Sequence, residues 1–315
     1  MGNGIKNITP ADILVFVVGP TGVGKSRLIN HYTNERLAKT SNGLDSCTQN
    51  LEHFPIPLEG PERLILVDTP GFNATSSTSD SKILDCIQRC WKAQLVPLST
   101  SLTSLPHRPN ASQSCGAGKT CGGLIYLHDV DRQWEAVSKD LEGLQKIFEK
   151  KNLRFVVFAP TSVSLTPEAL KRRKNQNFGA DSSQRTELSN QGAVVFDRLL
   201  DSHASAEELV GIALNRAKEE QRILLAEELE ELGKVLSGHP RKELKKTFDE
   251  IVERYEVLAN CGAALSTSEA AEIRAKIGMV FGQLRGKTSV KDRILKIFGE
   301  TSGFVPLSRL QVILN

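Results

Sequence analysis

The sequence has no long hydrophobic run and little net charge. None of its 315 residues lies in a stretch approaching the roughly 18 consecutive apolar residues of a membrane-spanning helix. The first ten residues, MGNGIKNITP, lack the apolar core of a secretory signal. Lysine and arginine number 40 against 37 for aspartate and glutamate. This balance gives no support for nucleic-acid binding, so we expect neither a transmembrane segment nor a nucleic-acid partner.

Cysteine is also sparse, and its spacing shows no disulfide framework. The six cysteines are scattered over a long chain, at positions 47, 86, 90, 115, 121 and 261. Cys115 and Cys121 have no matching cysteine or histidine pair at the spacing of metal ligands. A disulfide scaffold would need a denser and more regular pattern. We therefore expect free thiols and a cytoplasmic location.

The most informative segment is residues 19–26, which read GPTGVGKS and complete a G-x-x-x-x-G-K-S pattern. It follows the apolar run ILVFVV at residues 13–18 and opens a helix-like stretch from Lys25 to about Lys39. A strand, a glycine turn and a helix N-terminus form an anion site, because backbone N–H groups and the helix dipole point at the phosphates. The pattern predicts that Lys25 reaches the terminal phosphates and that the Ser26 hydroxyl holds Mg²⁺.

A second apolar run, RLILV at residues 63–67, ends in Asp68-Thr69-Pro70-Gly71. An acidic residue at the carboxyl end of a strand can bind Mg²⁺ through water, and a nearby glycine lets a loop sense the γ-phosphate. This order of elements is the one that phosphate-loop nucleotide hydrolases require, so we predict a nucleotide-binding domain. Its predicted nucleotide contacts are Gly19, Pro20, Thr21, Gly22, Val23, Gly24, Lys25, Ser26, Arg27, Asp68 and Gly71.

Strand and helix patterns alternate from residue 13 to about residue 200, which predicts an α/β fold with a mostly parallel, doubly wound sheet. Further strands are predicted at residues 51–56, 123–127, 153–159 and 193–196, and helices at 81–95 and 134–150. The basic run at 171–174 and the polar residues up to Asn190 are predicted to form a loop. Residues 96–121, rich in Ser, Thr, Pro and Gly, are predicted to be disordered. They are either a genuine inserted loop or a mis-assembled coding region.

After residue 204 the pattern is helical. Apolar residues recur at spacings of three and four in short stripes at 225–236, 244–258 and 273–284. Each stripe spans only about two heptads, which favours a helical bundle or hairpin over a true coiled coil. The alternative is a surface for a protein partner or a second copy. We predict a nucleotide-binding domain at 10–203, a helical, coiled-coil-like region at 204–300, and tails at 1–9 and 301–315.

Four segments together resemble the septin-like group of GTPases, and most closely the avirulence-induced and immunity-associated GTPases and their fungal G-domain relatives. They are GPTGVGKS at 19–26, SCTQN at 46–50, VDTPGF at 67–72 and GGLIYLHDVD at 122–131. QGAVVFDRLLDSHASAEELV at 191–210 is similar to the last strand and helix of those G domains. AEELEELGKVLSG at 226–238 resembles the helical tail of the fungal branch. The resemblance covers about residues 10–240.

The resemblance implies a P-loop GTPase domain that binds GTP or GDP with Mg²⁺. It makes Thr48 the switch threonine, which would complete the Mg²⁺ shell with Ser26 and Asp68 and sense the γ-phosphate. The simpler alternative is that Thr48 only starts a strand. Lys25 and Thr48 are the residues expected to act in catalysis. The relatives associate through their nucleotide faces and often act at membrane surfaces, so a homodimer and a peripheral membrane association are further expectations.

Two departures from the family pattern bear on function. Guanine selection normally uses an Asn/Thr-Lys-x-Asp motif after a strand, but here residues 153–159 lead into Pro160-Thr161-Ser162. Thr161 and Ser162 are the residues that could contact the base instead. Phe72 stands where Ras-type enzymes have the glutamine that orients the attacking water. An apolar side chain cannot position water, so we expect slow hydrolysis.

Two other functions fit the same motifs. The missing Lys-x-Asp permits a phosphate-loop enzyme that uses ATP, which nucleotide competition would distinguish from a GTPase. Phe72 and the insertion at 96–121 favour a catalytically weak nucleotide-binding scaffold that acts through its helical tail. The favoured hypothesis is a guanine-nucleotide-binding protein that hydrolyses GTP slowly and serves as a switch or assembly module.

Overall fold

The computed structural model describes residues 12–39, 51–58, 63–72, 80–95, 121–147, 153–162, 165–179, 182–198, 200–235, 247–249, 251–252, 255–256 and 267–284. Within these ranges six strands form one sheet: β1 Asp12–Val18, β2 Glu52–Pro57, β3 Arg63–Asp68, β4 Cys121–Asp129, β5 Val156–Thr161 and β6 Val194–Val195. The strand order is β2-β3-β1-β4-β5-β6. Strand β2 is antiparallel to β3, and the other neighbouring pairs are parallel. The predicted mostly parallel sheet is confirmed.

The helices are α1 Lys25–Thr33, α2 Asp80–Leu95, α3 Trp134–Ile147, α4 Pro167–Phe178, α5 Ser183–Asn190, α6 His203–Val235 and α7 Thr267–Leu284. Residues of α1 to α6 pack on the two faces of this sheet. Successive residues of β1 enter different apolar clusters because a strand alternates its side chains. Leu14 and Phe16 join the cluster that contains residues of α2 to α5. Val15 and Val17 join the cluster that contains residues of α1 and α6.

Helix α1 is shorter than the stretch up to about Lys39 that the sequence predicts. It ends at Thr33 because Asn34 adopts a left-handed conformation, with φ 53°, which asparagine tolerates better than most residues. The Asn30 side chain accepts a hydrogen bond from the Ala38 amide at 2.8 Å and donates one to the Ala38 carbonyl at 2.9 Å. These two bonds fold the chain back onto the helix that it has just left.

The predicted loop between residues 171 and 190 is wrong, because α4 and α5 occupy most of it. Thr166 caps α4, its hydroxyl accepting from the Ala169 amide at 3.3 Å, and Pro167 follows at the first helical position. Ser182 caps α5 by accepting from the Arg185 amide at 3.1 Å. Few apolar residues lie on these helices, so capping rather than hydrophobic periodicity marks their start.

The chain divides into two compact units. The first contains Met1–Leu95 and Thr120–Glu220, and the second Val96–Lys119 and Gln221–Asn315. In the second unit the Phe248 and Phe281 rings stack at 6.2 Å, and the Arg274 guanidinium donates to the Tyr255 hydroxyl at 2.8 Å. The C-terminal part is thus helical where it is described, as predicted. None of the helices in the described ranges is long and apolar enough to cross a bilayer.

The predicted domain limits, with a boundary at 203/204, stay a prediction. Of the predicted insertion at 96–121, all but Cys121 lies outside the described residues, and Cys121 begins β4. The predicted tails at 1–9 and 301–315 also lie outside the described residues.

Candidate nucleotide-binding site

The segment between β1 and α1 follows the backbone path of a phosphate-binding loop. Gly19 has φ 144°, and a Cβ there would lie 2.3 Å from the Leu127 carbonyl oxygen of the neighbouring strand β4. Gly22 and Gly24 have φ 78° and 102°, in the left-handed region that favours glycine. The glycines of the motif are therefore required by the turn and by the closeness of β4.

Lys25 lies inside this loop. Its ammonium donates to the carbonyl oxygens of Pro20 at 2.9 Å and Gly19 at 3.2 Å, and the residue is only 7% exposed. Burial lowers its pKa to about 8, against a smaller opposing effect of the Asp68 carboxylate. A buried cation with carbonyl partners and one nearby carboxylate is suited to receive further negative charge, because phosphate oxygens would replace the hydration that it has lost.

Ser26 and Asp68 meet at the start of α1, where β1 and β3 end side by side. The Ser26 hydroxyl donates to Asp68 Oδ2 at 2.6 Å, and the Asp68 side chain is buried. Next to it, the Thr69 hydroxyl donates to the Val17 carbonyl at 2.9 Å and joins the end of β3 to β1. A hydroxyl and a carboxylate are hard oxygen ligands of the kind that Mg²⁺ prefers. The residues present therefore fit a Mg²⁺ ion, which Ser26 would hold directly and Asp68 through water.

Gly71 and Phe72 are tied directly to the loop. The Phe72 amide donates to the Gly19 carbonyl at 3.1 Å, and the Thr21 amide donates to the Phe72 carbonyl at 3.0 Å. A Cβ on Gly71 would lie 2.4 Å from the Thr21 Cα, so only glycine fits between the two segments. The Phe72 side chain is 1% exposed and belongs to an apolar cluster. It points into the protein core and is therefore unavailable to orient water.

Two polar residues near the carboxyl end of β4 are already engaged by other side chains of the protein. The Arg132 guanidinium donates to the Tyr126 hydroxyl at 3.1 Å and to the Asp140 carboxylate, and its side chain is 15% exposed. His128 packs against the Phe158 and Phe178 rings, at 5.2 and 5.1 Å. Burial, with the Arg132 charge, lowers the pKa of His128 to about 3. His128 is thus a neutral core residue, and Arg132 is committed to its own ion pair.

The ends of β5 and β6, where a base would be selected, carry polar groups that differ from the usual Asn/Thr-Lys-x-Asp motif. Strand β5 ends at Thr161, which is 6% exposed and whose carbonyl accepts from the Val130 amide at 3.0 Å. A carboxylate, Asp197, follows β6. Both terminal nitrogens of Arg185 donate to it, one of them at 3.1 Å. This hydrogen bonding holds the pKa of Asp197 below its usual range, so the carboxylate is ionised at neutral pH.

The structure brings most of the predicted site residues to one place, since the loop at 19–26 touches both Asp68 and Gly71. The Arg27 side chain is exposed on α1, where its Nε donates to His31 Nε2 at 3.0 Å. Thr48 lies outside the described residues, so its role stays a prediction. Sequence reasoning missed Thr69 and the bonds between Phe72 and the loop. A hydroxyl residue directly after the acidic strand end was the one available signal for Thr69.

Residues 14–159 match the family model described as 50S ribosome-binding GTPase. No curated protein sequence matches the chain. The matched segment runs from β1 to β5 and includes the phosphate loop and Asp68. The match therefore covers the same residues that form the candidate site.

Among solved structures, Toc33 from Arabidopsis thaliana in complex with Mg²⁺ and GMPPNP is similar, with 15% identity, a TM-score of 0.43, and coverage of 66% of this chain and 85% of that chain. A putative nucleolar GTP-binding protein 1 from Plasmodium falciparum gives 13% identity, a TM-score of 0.42, and coverage of 73% and 98%. Likenesses at this level carry no argument about activity. On its sheet topology, its phosphate loop and the family match, the chain has the fold of a P-loop GTPase G domain with a helical C-terminal part.

Proposed function

We propose that this protein binds guanine nucleotide with Mg²⁺ and hydrolyses GTP slowly, as a switch or a nucleotide-dependent assembly module. The proposal depends chiefly on one observation, the 2.6 Å hydrogen bond between Ser26 and Asp68 beside the buried Lys25. These three residues supply a hydroxyl, a carboxylate and a cation at the N-terminus of α1. That set is what a Mg²⁺-bound polyphosphate needs.

Each residue of this set has a separate role. Lys25 would neutralise charge on the β- and γ-phosphates, and the loop amides would bind their oxygens. Ser26 would ligate Mg²⁺, with Asp68 holding it through water and Thr48 completing the shell. Bound Mg²⁺ would supply charge neutralisation for the phosphates. Gly71 would present its amide to the γ-phosphate.

Slow hydrolysis follows from the state of the residues around the loop. Phe72 is buried in the core, Arg132 is paired with Asp140, and His128 is neutral and enclosed by aromatic rings. None of these three, as described, can orient water or stabilise the transferred phosphoryl group. Faster turnover would need a group from elsewhere in the chain or from a second copy. The resemblance to septin-like GTPases favours a homodimer through the nucleotide face.

The specificity for guanine belongs to this proposal as well. It is supported by the family match at residues 14–159 and by the resemblance to the immunity-associated GTPases and their fungal relatives. The rival is an ATP-using enzyme, which the Thr161-Ser162 sequence after β5 permits. We also propose a cytoplasmic protein whose helices after residue 204 engage a partner or a second copy.

A nucleotide titration tests the nucleotide specificity and the role of Lys25. Fluorescent GDP and GTP analogues would be titrated into the full chain with Mg²⁺, with unlabelled ATP as competitor. We expect guanine binding that Lys25→Ala abolishes and that Lys171→Ala, a change on the exposed face of α4, leaves intact. Competition by ATP as strong as by GTP would replace the GTPase with the ATP-using enzyme. A folded protein that binds neither would leave the scaffold function.

A further inference from the structure

Thr21, the third residue of the phosphate loop, has an unusual hydroxyl. Its Oγ1 is buried and has no hydrogen-bond partner among the residues that the structure describes. Two other threonine hydroxyls bond to carbonyl oxygens: Thr69 to Val17 at 2.9 Å, and Thr33, at the far end of α1, to Ile29 at 3.0 Å. A buried hydroxyl without a partner costs free energy, so this hydroxyl does not stabilise the loop through any hydrogen bond among the described residues.

The Thr21 hydroxyl lies next to a residue that is expected to contact the γ-phosphate. A Cβ added to Gly71 would lie 2.5 Å from Thr21 Oγ1, so the hydroxyl packs against the glycine whose amide is expected to report the γ-phosphate. On the other side, Thr21 follows Pro20, whose carbonyl accepts from the Lys25 ammonium at 2.9 Å. Lys25 is the residue expected to reach the terminal phosphates. The hydroxyl therefore lies beside Gly71, and the residue before it holds the Lys25 ammonium through its carbonyl.

We propose that the Thr21 hydroxyl donates a hydrogen bond to a γ-phosphate oxygen and so helps the protein distinguish a nucleoside triphosphate from a diphosphate. The inference rests on the proposed function, since it assigns a role within that nucleotide site. It makes Thr21 a source of triphosphate specificity that belongs to the loop itself and is independent of Thr48. The same contact links nucleotide state to Gly71, because a γ-phosphate that engages Thr21 Oγ1 has to share space with that glycine.

The test compares two ligands on four proteins. Titration calorimetry with Mg²⁺ would measure the affinities of GDP and of a non-hydrolysable GTP analogue for the wild-type full chain, Thr21→Val, Thr21→Ser and Thr33→Val. Valine keeps the shape of threonine and replaces the hydroxyl with a methyl group, which cannot donate a hydrogen bond. Thr33→Val is the matched control, because it removes a hydroxyl from the far end of α1. A hydrogen bond to a charged phosphate oxygen predicts a roughly tenfold to hundredfold loss.

We expect Thr21→Val to lose that factor for the GTP analogue only, with GDP affinity unchanged. Thr21→Ser should restore it, and Thr33→Val should match the wild type. An unchanged ratio of the two affinities in Thr21→Val would overturn the inference and leave the proposed function standing. An equal loss for both ligands would also overturn it, since the hydroxyl would then serve the loop as a whole. A wild-type chain that binds neither ligand would overturn the proposed function together with the inference.

Discussion

The Lys25 ammonium loses its proton more readily than that of an ordinary lysine, and this should make phosphate binding depend on pH. Burial lowers the pKa of Lys25 in the free protein to about 8. Bound phosphates add negative charge beside the ammonium and raise that pKa, so binding takes up a proton wherever the free lysine has lost one. We expect GDP affinity to be nearly constant below about pH 7 and to fall about tenfold by about pH 9. Titration calorimetry in buffers of different ionisation enthalpy would measure the affinity and the proton uptake.

A second buried lysine provides the control for this experiment. The pKa of Lys174 is also lowered to about 8 by burial, but its ammonium donates to the Arg198 carbonyl at 3.0 Å, away from the phosphate loop. Lys174→Met should therefore keep the pH dependence of GDP binding, while Lys25→Gln should bind weakly at every pH and lose it. A wild-type affinity that does not change between about pH 7 and about pH 9 would contradict the role given to Lys25.

At the scale of single residues, the sequence predicted the groups whose spacing is fixed by the chain itself. Gly19, Lys25 and Ser26 lie in one short loop, so their covalent spacing and the turn geometry already place them together. The contact between Gly71 and Thr21 was not predictable in that way. It depends first on β1 and β3 being neighbours, which pairs Val17 with Asp68. It also depends on one extra residue in the second segment, because Pro20 pairs with Phe72 although the segment from Asp68 to Phe72 is one residue longer than that from Val17 to Pro20.

Among the secondary-structure elements, β4 and α6 pack closely enough to exclude side chains. A Cβ on Gly123 would lie 3.0 Å from the Ala213 carbonyl oxygen and 3.3 Å from the Ala217 Cβ. Strand β4 is hydrogen-bonded to β1 and β5 on its two sides, so it has little freedom to move away. We expect Gly123→Val to lower the free energy of unfolding by about 1–3 kcal/mol, measured by urea denaturation.

Gly143 offers a comparison on helix α3. A Cβ there would meet only the end of the Leu84 side chain, at 3.3 Å, and that flexible side chain can turn aside. Alanine is also a better helix former than glycine, by roughly 1 kcal/mol. Gly143→Ala should therefore leave the protein as stable as the wild type or slightly more so. If Gly123→Val unfolds at the same urea concentration as the wild type, the close packing of β4 on α6 is not as described.

Elements with a strong apolar pattern were predictable, and those held mainly by caps were not. Strands β1 and β3 carry continuous buried runs, and their limits agree with the sequence to within a residue. Helices α4 and α5 were missed because their exposed residues outnumber the apolar ones, and Lys174 is buried among them. A lysine in a buried helix position cannot be recognised from hydrophobic periodicity, since only the stem of its side chain is apolar.

At the scale of the whole molecule, the described parts of the candidate site and both apolar clusters lie within the first compact unit, Met1–Leu95 and Thr120–Glu220. Helix α6 continues past that unit to Val235. Its residues from Ala206 to Leu214 contribute to the cluster on the α1 face of the sheet. Its later buried residues, Leu225, Leu229 and Leu232, belong to the second unit. The nucleotide site should therefore depend on the first part of α6 and not on the second.

Two truncated chains would separate these parts. A chain that ends at Arg222 keeps the α6 residues of the first unit and removes the leucines that would otherwise be left exposed. We expect it to unfold cooperatively and to bind GDP with the affinity of the full chain, measured by denaturation and by fluorescent GDP titration. A chain that ends at Ser202 lacks α6 and so loses its core residues Ala206, Leu209, Val210 and Ala213. The free-energy cost of deleting several buried side chains at once exceeds the free energy of unfolding of most domains. This shorter chain should therefore not fold. A chain ending at Arg222 that is folded but does not bind GDP, when the full chain does, would show that the second unit takes part in nucleotide binding.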